Sequence, residues 1–357
     1  MSKPIYVIAE AGVNHNGNDE MAFQLVDAAV EAGVDVIKFQ TFKTENLVTK
    51  YASKAEYQLQ SINVDESQFD MLKKLELSHD AHRKLIEYCK LKKIEFLSTA
   101  FDMESLEFIV NDLQFKTLKL PSGEITNGPL LLAHAQTGCE LIVSTGMAAM
   151  DEIEEALGVI AFGMLGLKNP SRIAFQDAFC SEEGQQILNE KVTLLHCTTE
   201  YPAPLSDINL KAMSTMADVF GLKIGYSDHS EGITVPIAAA ALGATLIEKH
   251  FTLDKTLPGP DHKASLEPYE LKNMVDGIRA VEKILGDGVK GPRPSELGNR
   301  DVARKSIVAA HDIAVGEIFT QNNITIKRPG TGKSPMEYWE LLGEESHSEI
   351  KSDELIT

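Results

Sequence analysis

Four ionisable side chains stand where charge is costly. Lys38 interrupts the apolar run VIKFQT and Lys119 the run TLKLPSG, while His229 follows LKIGYSD and His250 sits near the end of TLIEKHF. An ammonium group flanked by buried apolar residues needs an anion beside it. Two imidazoles delivered by neighbouring strand ends suit a divalent metal with open positions, and without an accompanying thiolate Mn2+ or Mg2+ fits better than structural zinc. Hydroxyls at Thr99, Ser122, Ser144 and Ser227 add hydrogen-bond donors without charge. Together these types predict a pocket for a phosphate and a carboxylate. The competing readings are ordinary ion pairs, for example of the lysines with Glu10 or Glu124, and two unrelated hydrogen-bonded histidines. The combination favours a ligand.

Such residues must be brought together by their elements. Eight short β-rich runs recur along the chain: IYVIAEA, VIKFQT, EFLSTAF, TLKLPSGE, ELIVSTG, VTLLHCT, LKIGYSD and TLIEKHF. Between them lie segments with apolar residues at three- and four-residue spacing, such as NDEMAFQLVDAAVEAG and SHDAHRKLIEYCKLKK, which predict helices. This alternation implies parallel strands with crossover helices, and eight repeats within about 250 residues predict a closed (β/α)8 TIM barrel, an α/β fold. The polar residues cluster at the carboxyl ends of the runs: Glu10, Lys38 and Gln40, Thr99, Lys119 with Ser122 and Glu124, Ser144, His196 through Thr199, Ser227 through His229, and His250. In a barrel those ends share one face, where barrel enzymes keep their chemistry.

The bulk properties narrow the partners. The chain has 357 residues, 43% of them hydrophobic, which is enough for one barrel and a small second domain. Its 34 basic and 53 acidic residues give a formal charge of −19, which disfavours nucleic acid and anionic membranes as partners. No apolar segment reaches membrane-spanning length, so the expected location is the cytosol. The four cysteines, Cys89, Cys139, Cys180 and Cys197, are scattered and read as reduced core thiols. The expected domains are a catalytic barrel over residues 1–286, a Gly- and Pro-rich linker over 287–301 and a compact, mostly β module over 302–357. The segment 163–190 is longer than a barrel loop needs and predicts an inserted helix. The run PGTGKS at 329–334 resembles the end of a phosphate-binding loop, but that motif needs glycine where the chain has Lys327.

The stretches IAEAGVNHNG, IKFQT, LSTAFD, KLPSGE, STGM, HCTTEYPAP, GYSDHS, EKHFT, GPDHKAS, RKSIVA and IKRPGTG, in this order and over essentially the whole chain, resemble the sialic acid synthase family. The resemblance implies a metal-dependent (β/α)8 barrel followed by an antifreeze-like (SAF) domain, working as a domain-swapped homodimer. It implies condensation of phosphoenolpyruvate with an open-chain N-acylated mannosamine-type sugar to a nine-carbon 2-keto acid and phosphate. By position it makes His229 and His250 the metal ligands and Lys38, Thr99, Lys119, Ser122, Ser144 and Ser227 the phosphoenolpyruvate contacts. Gln40, Phe101, Tyr201 and Asp261 match sugar-site positions, and Arg328 matches an arginine that reaches into the partner subunit's barrel. Glu10, Glu124 and Asp261 remain rivals for the general base.

Three positions depart from the neuraminate-type pattern: Thr199 stands where Asn is frequent, Glu200 replaces a small or apolar residue, and Val302 lies where an aromatic can occur. HCTTEYPAP together with ASLEP looks more like the legionaminic acid synthases. The expected sugar is therefore 2,4-diacetamido-2,4,6-trideoxymannose, with N-acetylmannosamine as the alternative and the pseudaminate precursor behind both. A synthase of 3-deoxy-keto acids from sugar phosphates would need a second set of basic strand ends, which the sequence lacks. A non-catalytic carbohydrate-binding protein with the barrel as scaffold would have no use for desolvated cations.

Overall fold

The computed structural model describes residues 3–52 and 67–357. Eight strands form a closed barrel in sequence order: β1 (Tyr6–Gly12), β2 (Val36–Thr41), β3 (Glu95–Ala100), β4 (Thr117–Leu120), β5 (Glu140–Ser144), β6 (Val192–Cys197), β7 (Lys223–Asp228) and β8 (Leu246–His250). All neighbours run parallel, and β8 closes onto β1 with His250 beside Glu10. The (β/α)8 expectation is met strand for strand.

The two-residue period of the strands sorts the barrel interior into layers. Ile8, Val36, Leu97, Ile142, Leu195 and Leu246 pack into an apolar layer across the barrel. Two positions further along the same strands come Glu10, Lys38, Thr99, Ser144, Cys197 and Glu248. One step of the period thus turns a plug of aliphatic side chains into a polar mouth. Strand β7 contributes Gly225 at the apolar level, because a Cβ there would lie 2.5 Å from the Leu246 carbonyl oxygen and 2.6 Å from Leu195 Cδ2. The outward faces of the strands pack on helices in the main core, which includes Ile37, Phe39, Leu118 and Tyr226.

Local signals set the helix ends. In the first helix, Asp19–Ala32, the Asn18 side chain accepts from the Met21 amide, and Gly33 at φ 77° ends the helix in the left-handed region. Its buried stripe, Ala22, Leu25, Val26, Ala29 and Ala32, faces the barrel strands. The segment 163–190 holds one helix, Arg172–Cys180, and all but the last residue of a second, Glu182–Lys191, rather than the single insert expected. Ser181 separates them, its hydroxyl accepting from the Gly184 amide to cap the second.

The chain divides into two compact units, Met1–Gly286 and Asp287–Thr357. Residues 287–301, read as a linker, contain most of a helix, Pro294–Ala303, started by a proline in its first turn. The rest of the second unit pairs β9 (Ser306–Ala309) antiparallel with β10 (Ile324–Lys327) over a small core of Ile307, Ile313, Phe319, Ile324, Leu341, Ile350 and Ile356. In the loop that resembles a phosphate-binding motif, the Gly332 amide donates to Ser306 Oγ and the Lys333 amide to the Ile356 carbonyl. Those donors serve the module itself. Among the described residues no helix is long and apolar enough to cross a membrane.

Candidate active site

A cavity of about 290 Å3 opens at the carboxyl ends of the strands. It is lined by Glu10, Lys38 and Gln40 from β1 and β2, and by Thr99, Phe101, Lys119, Ser122 and Ser144 from β3 to β5 and their loops. Tyr201, Ser227, His229, His250 and Asp261 complete the predicted set on the far side. One of the predicted barrel residues does not join it. Glu124 is absent from the lining, and its carboxylate accepts from the Asn127 side chain at 2.6 Å. Arg328 is exposed in the second unit.

Both lysines are fully enclosed, and both have partners. Lys38 Nζ lies 2.6 Å from Glu10 Oε2 and donates to Thr99 Oγ1 at 3.0 Å; Lys119 Nζ donates to Ser144 Oγ at 2.6 Å. Between them stands Glu248, whose two oxygens are 3.5 Å from Lys38 Nζ and 3.5 Å from Lys119 Nζ, while Ser227 Oγ donates to it at 2.9 Å. The competing ion-pair reading is thus correct about Lys38 and Glu10, but the pair lies inside the cavity. Two ammonium groups and two carboxylates balance there, and an entering anion meets cations whose protein partners it can replace.

The two carboxylates differ in character. Burial pushes Glu10 up to about 7, aided by the negative Glu248, with Lys38 opposing. Glu248 is also buried, yet Lys119 and Lys38 together hold it at about 2. Burial lowers Lys119, with Lys38 adding repulsion and Glu248 opposing. For Lys38 the carboxylates of Glu10 and Glu248 outweigh burial and raise it. Asp261 is pushed up to about 6 by burial. The cavity therefore holds two carboxyl groups poised near neutrality and one fixed as an anion.

The histidines face one another, with ring centroids 5.4 Å apart. His229 Nδ1 donates to the Thr198 carbonyl at 2.7 Å, which leaves Nε2 to accept from the Tyr201 hydroxyl at 3.0 Å. His250 Nδ1 is buried without a hydrogen-bond partner, 4.0 Å from Asp261 Oδ2. Burial, then the neighbouring His229, holds His250 well below the usual imidazole range, so it stays neutral. An unpartnered nitrogen, a tautomer fixed from behind and a nearby carboxylate form a donor set that fits a divalent cation. Among the described residues no group of three or more His, Cys, Asp or Glu side chains is assembled for a metal. A pair of imidazoles would leave positions for oxygen ligands.

Sequence reasoning gave no catalytic or binding role to Glu248, Cys197 or Thr199, all of which line the cavity. Glu248 had a signal: in LIEKH the period of two puts Leu246, Glu248 and His250 on one face, and Lys249 on the other, where it pairs with Asp228 at 2.6 Å. Cys197, taken for a core thiol, lines the cavity with Sγ 3.6 Å from His229 Nδ1, while Cys180 is exposed rather than core. Thr199, associated from the sequence with sugar choice, has a buried hydroxyl without a partner. That oxygen lies 2.1 Å from where a Gly146 Cβ would be, next to Ser122.

Comparison with known proteins agrees with this architecture. The family model described as the NeuB family matches residues 25–290, and that of the SAF domain matches residues 304–357. The N,N'-diacetyllegionaminic acid synthase of Campylobacter jejuni is 49% identical over 354 residues, 99% of either chain. The protein of the same name from Legionella pneumophila is 44% identical over 96% of this chain and 90% of its own. Among solved structures, the N-acetylneuraminic acid (sialic acid) synthetase of Leptospira borgpetersenii in complex with citrate superposes with a TM-score of 0.66 at 32% identity, covering 83% of this chain and 90% of that one. With both the barrel and the second module matched, the chain belongs to the NeuB family of sialic acid synthases.

Proposed function

We propose that the protein condenses phosphoenolpyruvate with an open-chain N-acylated mannosamine-type sugar, giving a nine-carbon 2-keto acid and phosphate. The preferred sugar in this reading is 2,4-diacetamido-2,4,6-trideoxymannose and the product N,N'-diacetyllegionaminate, which accords with the names of relatives at 49% and 44% identity. The observation that carries the reading is the meeting of Lys38, Lys119 and the His229–His250 pair in one cavity. An anion with two acidic ends suits the lysines and the hydroxyls of Thr99, Ser122, Ser144 and Ser227, and an aldehyde suits the side of the histidines.

In the reaction, C3 of phosphoenolpyruvate attacks the aldehyde carbon, water adds at C2, and phosphate leaves with cleavage of the C–O bond. Lys38 and Lys119 neutralise the phosphate and carboxylate without giving up protons, and fixed charge of this kind acts where the transition state needs it. Glu10, near neutrality, suits proton transfer with the attacking water, and Asp261 shares that property on the sugar side. Glu124, turned to Asn127, fits this role less well. His229 and His250 would hold Mn2+ or Mg2+, which supplies Lewis-acid polarisation of the aldehyde oxygen. Gln40, Phe101 and Tyr201 would contact the sugar. We further assign the working form as a domain-swapped homodimer in which Arg328 meets the partner's sugar.

Mass spectrometry of products formed from phosphoenolpyruvate, Mn2+ and each of three sugars tests the assignment. The trideoxy diacetamido sugar is expected to turn over with the highest kcat/KM, ahead of N-acetylmannosamine and the pseudaminate precursor. Preferential turnover of a phosphorylated aldose would overturn it.

A further inference from the structure

Two motifs noted in the sequence, VNHNG after β1 and GPDHKAS after β8, contain Asn14, Asn16 and His262, none of which lines the cavity. Their positions still bear on it. The chain leaves β8 at His250 and returns beside it at Leu266, whose amide donates to the His250 carbonyl at 2.9 Å. Asp261 projects from this excursion into the cavity, with Oδ2 4.0 Å from His250 Nδ1. Something must hold the excursion, and the loop after β1 does so at two points.

At the first point, Asn14 Nδ2 donates to the Phe251 carbonyl at 2.8 Å and to Ser265 Oγ at 2.9 Å, and Ser265 Oγ donates on to the Asp261 carbonyl at 2.7 Å. At the second, His262 Nε2 donates to Asn16 Oδ1 at 3.1 Å, while His262 Nδ1 accepts from the Thr252 hydroxyl at 2.6 Å. His262 is fully enclosed. The loops approach closely at Gly259, where a Cβ would lie 2.6 Å from His262 Cδ2 and 2.9 Å from Asn16 Oδ1. No side chain larger than hydrogen fits between them.

We propose that Asn16 and His262 are positioning residues whose hydrogen bond clamps the excursion after β8 to the loop after β1 and thereby fixes the Asp261 carboxylate beside the His229–His250 pair. This rests on reading that pair as a divalent-metal site. Groups that orient a metal site without touching the ion commonly carry a tenfold to hundredfold share of its affinity. A clasp of merely structural use would tighten the loop and leave the metal unaffected.

Three variants of the full chain test this. Asn16 has φ 51°, so Asn16→Gly deletes the acceptor without straining the backbone. Thr252→Val removes the hydroxyl behind His262 at nearly constant shape, together with its contact to the Asp254 amide, and Asn16→Asp keeps the acceptor. The readouts are hydrogen exchange of amides in residues 255–264, which excludes the Asp254 amide bonded to Thr252 itself, and Mn2+ affinity by calorimetry, with His229→Ala as reference. Expected are faster exchange and roughly tenfold weaker Mn2+ binding in Asn16→Gly and Thr252→Val, with both properties retained in Asn16→Asp. Faster exchange with unchanged Mn2+ affinity, or an Asn16→Asp protein as impaired as Asn16→Gly, overturns the proposal. Should His229→Ala bind Mn2+ as before, the metal reading itself fails. Loop exchange then decides the clamp alone: acceleration in folded Asn16→Gly and Thr252→Val upholds it, and no change overturns it.

Discussion

Glu248 holds one negative charge between two ammonium groups that would otherwise repel each other inside a protein. Replacing one member of such a buried set leaves the others uncompensated, at a typical cost of about 3 kcal/mol. Glu248→Gln should therefore lower the unfolding free energy by that amount in urea titrations, and inorganic phosphate should stabilise the variant more than the parent, since a bound anion replaces the lost charge. Equal stability of the two proteins, with equal response to phosphate, would contradict this account of the lysine pair. At the histidines the expectation is kinetic: His229→Ala and His250→Ala should each lower turnover at least about a hundredfold and abolish tight Mn2+ binding. At this scale much of the site was legible, because a lysine or histidine within a strand-like run has few bland explanations. What the sequence concealed was pairing. Nothing in it places Lys38 against Glu10 rather than Glu124, since that depends on strand register and on which way a loop turns.

At the scale of elements, the barrel could be read because each strand repeats the same change from apolar to polar at its carboxyl end. Gly225 shows how tightly the interior layer constrains that pattern. Gly225→Ala would drive a methyl group into the Leu246 backbone, and overpacking of this kind costs about 1–3 kcal/mol. The urea midpoint should fall accordingly; an unchanged midpoint would mean that β7 and β8 can separate at little cost. The less legible elements are those whose signals are composition rather than period. The stretch GDGVKGPRPSELGNR reads as a linker by its glycines and prolines, yet Pro294 occupies the first turn of a helix, where proline is tolerated. In 163–190, Ser181 sits between two helices and caps one, so a single hydrophobic pattern could not represent both.

For the whole molecule, protonation sets the acid limit. Burial holds the imidazoles of His15, His82, His134 and His262 down to about 4, against 6.5 when exposed in the unfolded chain. Between those values the unfolded chain takes up protons that the folded one refuses, so stability falls as pH drops from 6.5 to 4. Glu10 and Asp261 act in the opposite sense, being raised to about 7 and about 6, so they stabilise the fold as pH falls towards their unfolded values of 4.5 and 3.8. Four imidazoles outweigh two carboxyls, and chemical denaturation at pH 5 should show lower stability than at pH 7; the reverse order would contradict the assignment of neutral buried histidines. The proposed dimer makes a separate prediction. Arg328→Ala should raise the KM for the sugar while light scattering still reports a dimer, and a fully active monomer would refute the shared site.

If one cavity joins an enolpyruvyl phosphate to an aldehyde, the C–O bond of the enol phosphate breaks and the P–O bond stays intact. Phosphoenolpyruvate labelled with 18O in its bridging position, incubated with Mn2+ and the trideoxy diacetamido sugar, reports this directly through the 31P isotope shift of the phosphate released. The bridging label should leave with phosphate; label retained in the keto acid, or no phosphate release with any acylated mannosamine, would rule the proposed condensation out.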